Sequence, residues 1–389
     1  MTVVYDPYSP EIQADPYPIY RRLRDEAPVY YNERLKFWAL SRFEDVWSGH
    51  IDWQTYSSSH GPIIEDLDID FSILGMDPPP HTRLRNLVSK GFTPRRVSAL
   101  EPEIRRIAEG FLDPLHGAGR CDIVGDFSGM FPLDVISGLV GVAREDREHL
   151  RNLFDATPER DPATGAPTER ALAAITETRA LFADLVEKRR REPREDLISV
   201  ITNGEFDDGE RLRQLDDEEI FDFLFVVAGA GGETTTRLIA HGTYLLAQHP
   251  DQRELLLREP ERIPVAVEEM LRYLAPSQYQ GRWTLRDAHL HGQTIPAGQR
   301  VILITGAACR DEREFPEPDR FDVTRKTDRQ VYFGLGHHVC LGKSLARLEA
   351  RIAFEEILAR FPNYEIIPES IERTQASNTQ GMSRLEITW

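Results

Sequence analysis

Apolar residues return at helical spacing through most of the chain. In SALEPEIRRIAEGFLDPL (Ser98 to Leu115) and ERALAAITETRALFADLVEKRRR (Glu169 to Arg191) the spacing predicts amphipathic helices. A third stretch differs. From Ile220 to Ala228 nearly every position is apolar, so the helix that opens at LDDEE and stops at Pro250 is expected to be buried on all sides. Past Cys340, the positions Leu341, Leu345, Leu348 and Ile352 share one helical face, which starts a helix just after the cysteine and ends it before Pro362. Strand patterns are few. Pro28 to Leu40 reads as a hairpin, and Trp283 to Ala308 holds short alternating runs broken by a Pro-Ala-Gly turn. The expected fold class is mainly α with a small β region (α+β), in a single domain over residues 1–389. Two irregular stretches, Ser57 to Pro80 and Thr157 to Thr168, are candidates for pocket walls or a lid, surface disorder being the plainer alternative.

Charge narrows the partners. Lys and Arg number 47 against 65 Asp and Glu, a net charge of −18, which argues against nucleic acid or an anionic membrane as a general partner. The cysteines Cys121, Cys309 and Cys340 lie far apart and form no disulfide framework. The N-terminal segment has no signal-peptide pattern, and the uncharged run Phe223 to Gly232 is far shorter than the roughly 20 residues of a membrane span. A cytoplasmic monomer without a membrane anchor is expected.

The chemistry concentrates around FGLGHHVCLG, Phe333 to Gly342. Cys340 stands at a helix start, where the dipole and free N–H groups favour a thiolate, the form that ligates metals. Gly334, Gly336 and Gly342 allow close approach of the backbone to something flat. Zinc is a poor fit, because tetrahedral zinc takes about four ligands and only His337, His338 and Cys340 are at hand. In the apolar helix, Gly229, Gly231 and Gly232 each cost roughly 1 kcal/mol relative to Ala. Either a neighbouring helix packs closely there, or a flat cofactor lies on the glycine face beside a local distortion.

The segment Phe333 to Gly342 fills every fixed position of Phe-Gly-x-Gly-x-His-x-Cys-x-Gly and so resembles the haem-binding signature of the cytochrome P-450 monooxygenases, of the soluble bacterial type. Further motifs follow in family order. Ala230-Gly231-Gly232-Glu233-Thr234 is similar to the oxygen-activation motif, and Glu269 with Arg272 to the Glu-x-x-Arg pair that an arginine, here Arg320, completes. The resemblance implies a cytochrome P-450-like fold with haem b between the central helix and the helix after Cys340. It also implies Cys340 as the iron ligand, Phe333, Gly334, Gly231 and Gly342 at the cofactor, and His81, Arg85, Arg282 and His338 on its propionates. Ala308-Cys309-Arg310-Asp311 departs from the usual Ala-Asn-Arg-Asp and puts no catalytic role in doubt.

A thiolate ligand favours cleavage of the O–O bond, and Thr234 and Glu233 are implied as the oxygen-binding and proton-delivering pair. The expected reaction puts one atom of dioxygen into a hydrophobic small molecule. Electrons come from NAD(P)H through a reductase and a ferredoxin. Lys343, Arg347, Arg351, Arg95 and Arg96 form a candidate dock for that acidic partner, an ordinary charged helix face being the plainer reading. Ile63, Ile64, Leu67, Ile69, Phe71, Ile73 and Leu74, with Leu274 to Gln280, are candidate pocket residues. Glu65, Asp66, Asp68 and Asp70 either meet an amine on the substrate or face solvent. The rival readings are a peroxide-driven haem-thiolate enzyme and a haem-based sensor or ligand-binding protein.

Overall fold

The computed structural model describes residues 3–65, 71–157, 168–374 and 376–389. The helices that build the site are, in chain order, α1 (Phe43–Ile51), α2 (Pro80–Val88), α3 (Glu101–Leu112), α4 (Phe131–Val140), α5 (Glu169–Arg191), α6 (Asp217–Gln248), α7 (Ile263–Tyr273) and α8 (Lys343–Arg360). Around them lie strands β1 (Val29–Asn32), β2 (Phe37–Leu40), β3 (Tyr56–Ser57), β4 (Gln280–Thr284) and β5 (Arg300–Leu303), ordered β1-β2-β5-β4-β3 in one sheet. The pair β2 and β5 is parallel and the other pairings are antiparallel. A hairpin near the C-terminus pairs β6 (Glu372–Arg373) with β7 (Met382–Arg384).

Helix α6 is the spine. It opens with a capping box in which the Asp216 carboxylate accepts from the Glu219 N–H and the Glu219 carboxylate accepts from the Asp216 N–H. Ile220, Phe221, Phe223, Leu224, Val227 and Ala228 are buried, as the apolar run predicts. The expected distortion at the glycines is absent: α6 runs unbroken through Gly229 to Thr234. Close packing of α4 explains one of the three: a Cβ on Gly231 would stand 3.0 Å from Ile136 Cγ1, whereas one on Gly232 would make ordinary contact with Leu133 at 3.5 Å and one on Gly229 would meet only Phe154 at 3.8 Å.

Two other expectations change in detail. The helix read over Ser98 to Leu115 is divided into Pro94–Ala99, α3 and a terminal 3₁₀ turn, because Pro102 has no N–H to continue a preceding helix and begins a new one. Glu269 and Arg272 form a fully buried two-pronged pair at 2.7 and 2.8 Å, and Arg272 also donates to the carbonyls of Cys309, Pro318 and Arg320. The third arginine is not Arg320. The Arg320 side chain lies at the surface against Glu317, 3.4 Å away, and contributes only its carbonyl. The chain turns at Asp322, whose N–H donates to Glu269, and this brings Arg325 back to within 3.2 Å of the same carboxylate.

One run among the described residues, Ile123–Val140, is long and apolar enough to cross a membrane by length and composition. Of that run, 67 % is buried in the fold, where α4 packs on α6.

Candidate active site

A cavity of about 310 Å³ lies between α6 and the loop that carries Cys340. The loop is shaped by backbone that only glycine adopts easily, with φ +65° at Gly334 and +62° at Gly336. A side chain on Gly336 would also stand 3.0 Å from the His50 carbonyl oxygen. The Cys340 N–H donates to the Phe333 carbonyl at 2.8 Å and fixes the turn, and α8 starts three residues later, as expected. At Gly342 nothing lies within 4 Å of an added Cβ. Burial pushes the Cys340 thiol up, and the Gly342 N–H and the charges of Arg85, Lys343 and Arg347 only partly oppose it. The expected lowering by the helix start is therefore outweighed by desolvation.

The cavity wall beside the loop is rich in nitrogen, and Arg85 donates to the loop at the Val339 carbonyl, 2.5 Å away. On α2, His81 and Arg85 stand one turn apart and both face the cavity. Strand β4 sends Gln280 and Arg282 to it from alternate positions, the period of an extended strand. His338 donates from Nε2 to the Met76 carbonyl at 3.0 Å, and its ring centroid is 4.3 Å from that of His81. Both ring nitrogens of the buried His81 lack a partner among the described residues. Burial, with Arg85 beside it, pushes His81 down to about 4; burial and Arg282 push His338 down to about 3; burial brings Arg282 down to about 10. The wall crowds cations and neutral imidazoles together, and among the described residues the one carboxyl group that lines the cavity is that of Glu349 on α8. Such a donor set suits an anionic group with at least two acceptor sites.

The sequence-predicted residues thus converge. Cys340, Phe333, Gly334, Gly342, His338, His81, Arg85, Arg282, Gly231 and Thr234 all line the one cavity. Glu233 does not; its carboxylate is turned along α6 to Arg237. The Thr234 hydroxyl donates to the Ala230 carbonyl at 3.0 Å. Of the loop candidates, Ile73 and Leu74 reach the cavity, Phe71 packs over Gly61, and Ile63 and Ile64 stay outside it. Leu67, Ile69, Asp66, Asp68 and Asp70, with residues 158–167 of the second loop, lie outside the described residues. Glu65 does not line the cavity; its Oε1 accepts from the Tyr8 and Ser377 hydroxyls, while its Oε2 is buried without a partner. From the segment after α7, Pro276, Ser277 and Gln280 reach the cavity.

Among the lining residues that escape the sequence reading, three carry polar groups with a bearing on the site. His50 on α1 is buried, with Nδ1 at 3.5 Å from Arg282 and Nε2 unpartnered; nothing in the pattern of its helix marks it. Thr235 lies beside Thr234, and Glu349 on α8 is buried with Oε2 unpartnered and its acid form favoured by desolvation.

The basic row on α8 is not a free cationic stripe. Arg347 holds Glu268 through two contacts of 2.7 Å and covers the Phe333 ring, and Arg351 pairs with Glu101 and Glu355. Among the described residues, Lys343, Arg95 and Arg96 pair with no acid.

Residues 164–384 match the family model described as Cytochrome P450. The putative cytochrome P450 123 of Mycobacterium tuberculosis is 42 % identical over 99 % of this chain and 97 % of its own length. A vitamin D(3) 25-hydroxylase from Pseudonocardia autotrophica is 37 % identical over 100 % of this chain and 97 % of its own. Among solved structures, CYP109E1 from Bacillus megaterium in complex with corticosterone superposes with a TM-score of 0.88 at 32 % identity, covering 97 % of this chain and 99 % of that one.

Proposed function

The chain belongs to the cytochrome P450 family of monooxygenases, and from that premise we propose that Cys340 is the thiolate ligand of a haem b seated in this cavity. The observation that carries the reading is the pairing of a glycine-shaped cysteine loop with a wall on which buried His81, both ring nitrogens without a partner, and His50, with Nε2 unpartnered, stand beside the guanidinium groups of Arg85 and Arg282. His81, Arg85, Arg282 and His338 would hold the two carboxylates of the cofactor, and the open space at Gly342 would take the flat face. Bound there, the group supplies dioxygen activation, in which one oxygen atom enters a C–H bond and the other leaves as water, with two electrons and two protons consumed.

The protein's own part is positioning. Thr234 presents a hydroxyl to the cavity, and Glu233, its neighbour, brings protons from the solvent side. Ile73, Leu74, Phe223, Val227 and Leu238 exclude water and favour an apolar substrate. A steroid or secosteroid is the substrate class best supported, given the apolar lining and the corticosterone and vitamin D(3) in the names of two relatives. Electrons would come from NAD(P)H through a ferredoxin that meets Lys343, Arg95 and Arg96 rather than the neutralised Arg347 and Arg351. The test is turnover of testosterone under isotopically labelled dioxygen with a ferredoxin, its reductase and NADPH. One labelled oxygen in the product supports the reading; unlabelled product or none from a panel of apolar substrates contradicts it.

A further inference from the structure

Arg237 stands one helical turn after Glu233 on α6, a spacing that usually gives a solvated surface pair. This pair is different. The Arg237 side chain is 5 % exposed while that of Glu233 is 58 % exposed. A buried guanidinium needs a reason, and the C-terminal hairpin supplies it. Thr374 accepts from Arg237 Nη1 at 2.5 Å through its hydroxyl oxygen. Gly381 makes the room: a Cβ there would lie 2.7 Å from both Cγ and Nη1 of Arg237. Thr374 and Gly381 are themselves joined, N–H to carbonyl, at 3.1 Å. Two residues far from α6 in sequence thus form a slot for one arginine. Among the described residues, Glu233 is its acidic partner, reached from Nη2.

The same hairpin touches the cavity wall. The Gln278 N–H donates to Asn378 at 2.7 Å, the Gln380 N–H donates to Pro276 at 3.0 Å, and Ser277 bridges to Thr379. Pro276 and Ser277 line the cavity. The hairpin therefore lies between the substrate wall and the arginine that fixes the acid.

Resting on the monooxygenase reading above, we propose that Arg237 is a positioning residue for proton delivery. Held in the Thr374 and Gly381 slot, it keeps the Glu233 carboxylate at the α6 surface beside Thr234, so that protons enter at a fixed point. A long glutamate left untethered in solvent samples many rotamers, and fewer of them serve the relay. Dioxygen that takes two electrons and two protons without productive delivery leaves as hydrogen peroxide; with productive delivery the same electrons and protons yield hydroxylated substrate and water.

The test is the fraction of NADPH electrons recovered as hydrogen peroxide by the haem-loaded enzyme with its ferredoxin and reductase, with testosterone as probe and without it. Arg237→Met should raise that fraction severalfold, a smaller change than the roughly hundredfold or greater loss that follows from removing a positioned proton donor. Arg237→Lys should restore most of the wild-type value, and Thr374→Val should fall between. The thermal midpoints of Arg237→Met, Glu233→Gln and the double variant should be non-additive, which reads the pair without turnover. A peroxide fraction unchanged or lowered in Arg237→Met overturns the proposal, even where the midpoint falls. Should Arg237→Met not fold, Thr374→Val decides: a raised fraction supports the proposal and an unchanged one overturns it. A wild type without thiolate-ligated haem would instead remove the underlying reading.

Discussion

On both α7 and α6 an acid near the site is followed within one turn by an arginine, and the structure uses the two pairs in opposite ways. On α7, Glu269 and Arg272 are both fully buried, locked by two contacts to each other and by three carbonyls and Arg325 around them. On α6, Arg237 is buried and Glu233 is largely in water. The first pair has every polar group committed and acts as a lock; the second has one end free and can serve chemistry. Spacings of three and four residues both place the two side chains on one helix face and give no distinction between the pairs. What separates them is how much distant chain closes over the carboxylate.

The largest effect should come from breaking the lock. Glu269→Ala leaves Arg272 buried without its counter-charge, which costs about 3–5 kcal/mol and should leave little folded protein, measurable by denaturant unfolding. Glu233→Gln, whose carboxylate faces water, should lose far less stability.

His241 sharpens the comparison, because it joins the two helices: its Nδ1 donates to the carbonyl of Leu274, just past the end of α7, at 3.1 Å. Burial pushes it down to about 4, with Arg237 adding to the effect. The unfolded chain therefore binds a proton that the folded protein refuses between about pH 6.5 and 4. The contribution of this group to stability is complete above pH 6.5 and is lost as pH falls through that window, by roughly 3 kcal/mol in all. A His241→Gln variant should show a flatter acid limb in unfolding midpoint against pH.

Smaller again is the contrast between the two arginines near the lock. Arg325→Leu removes a charged hydrogen bond to Glu269 and should cost about 1.5–3 kcal/mol, whereas Arg320→Leu at the surface should stay within about 0.5 kcal/mol. Equal losses would restore Arg320 to the triad. Smallest in stability is Lys343→Glu, which should slow reduction by a ferredoxin while leaving unfolding and testosterone binding unchanged; unaltered reduction kinetics would remove the dock.

Sequence legibility followed the same divide. Residues whose role depends on a few neighbours were readable: the glycines and cysteine of Phe333 to Gly342, the His81 and Arg85 pair on one helix face, and the apolar course of α6. Roles set by long-range closure were not. Arg320 and Arg325 differ only in which way the chain turns at Asp322, and the α6 glycines left close helix packing and a cofactor face both open, without marking α4 as the neighbour. His50 becomes part of the cavity because β4 brings Arg282 beside it, which no pattern within its own helix reveals. The α8 cations read as a stripe until Glu268 on α7 and Glu101 on α3 met Arg347 and Arg351 from other helices, although the pairing of Arg351 with Glu355 is local to α8.

The central claim is that the cavity wall of histidines and arginines and the Cys340 loop hold one haem between them with a thiolate on its iron. The direct measurement is the absorption spectrum of the purified protein, reduced and exposed to carbon monoxide, for wild type and Cys340→Ala. A strongly red-shifted Soret band in the wild type that is lost in Cys340→Ala is the predicted result. A wild type without haem, or with a Soret band indifferent to Cys340, would contradict it.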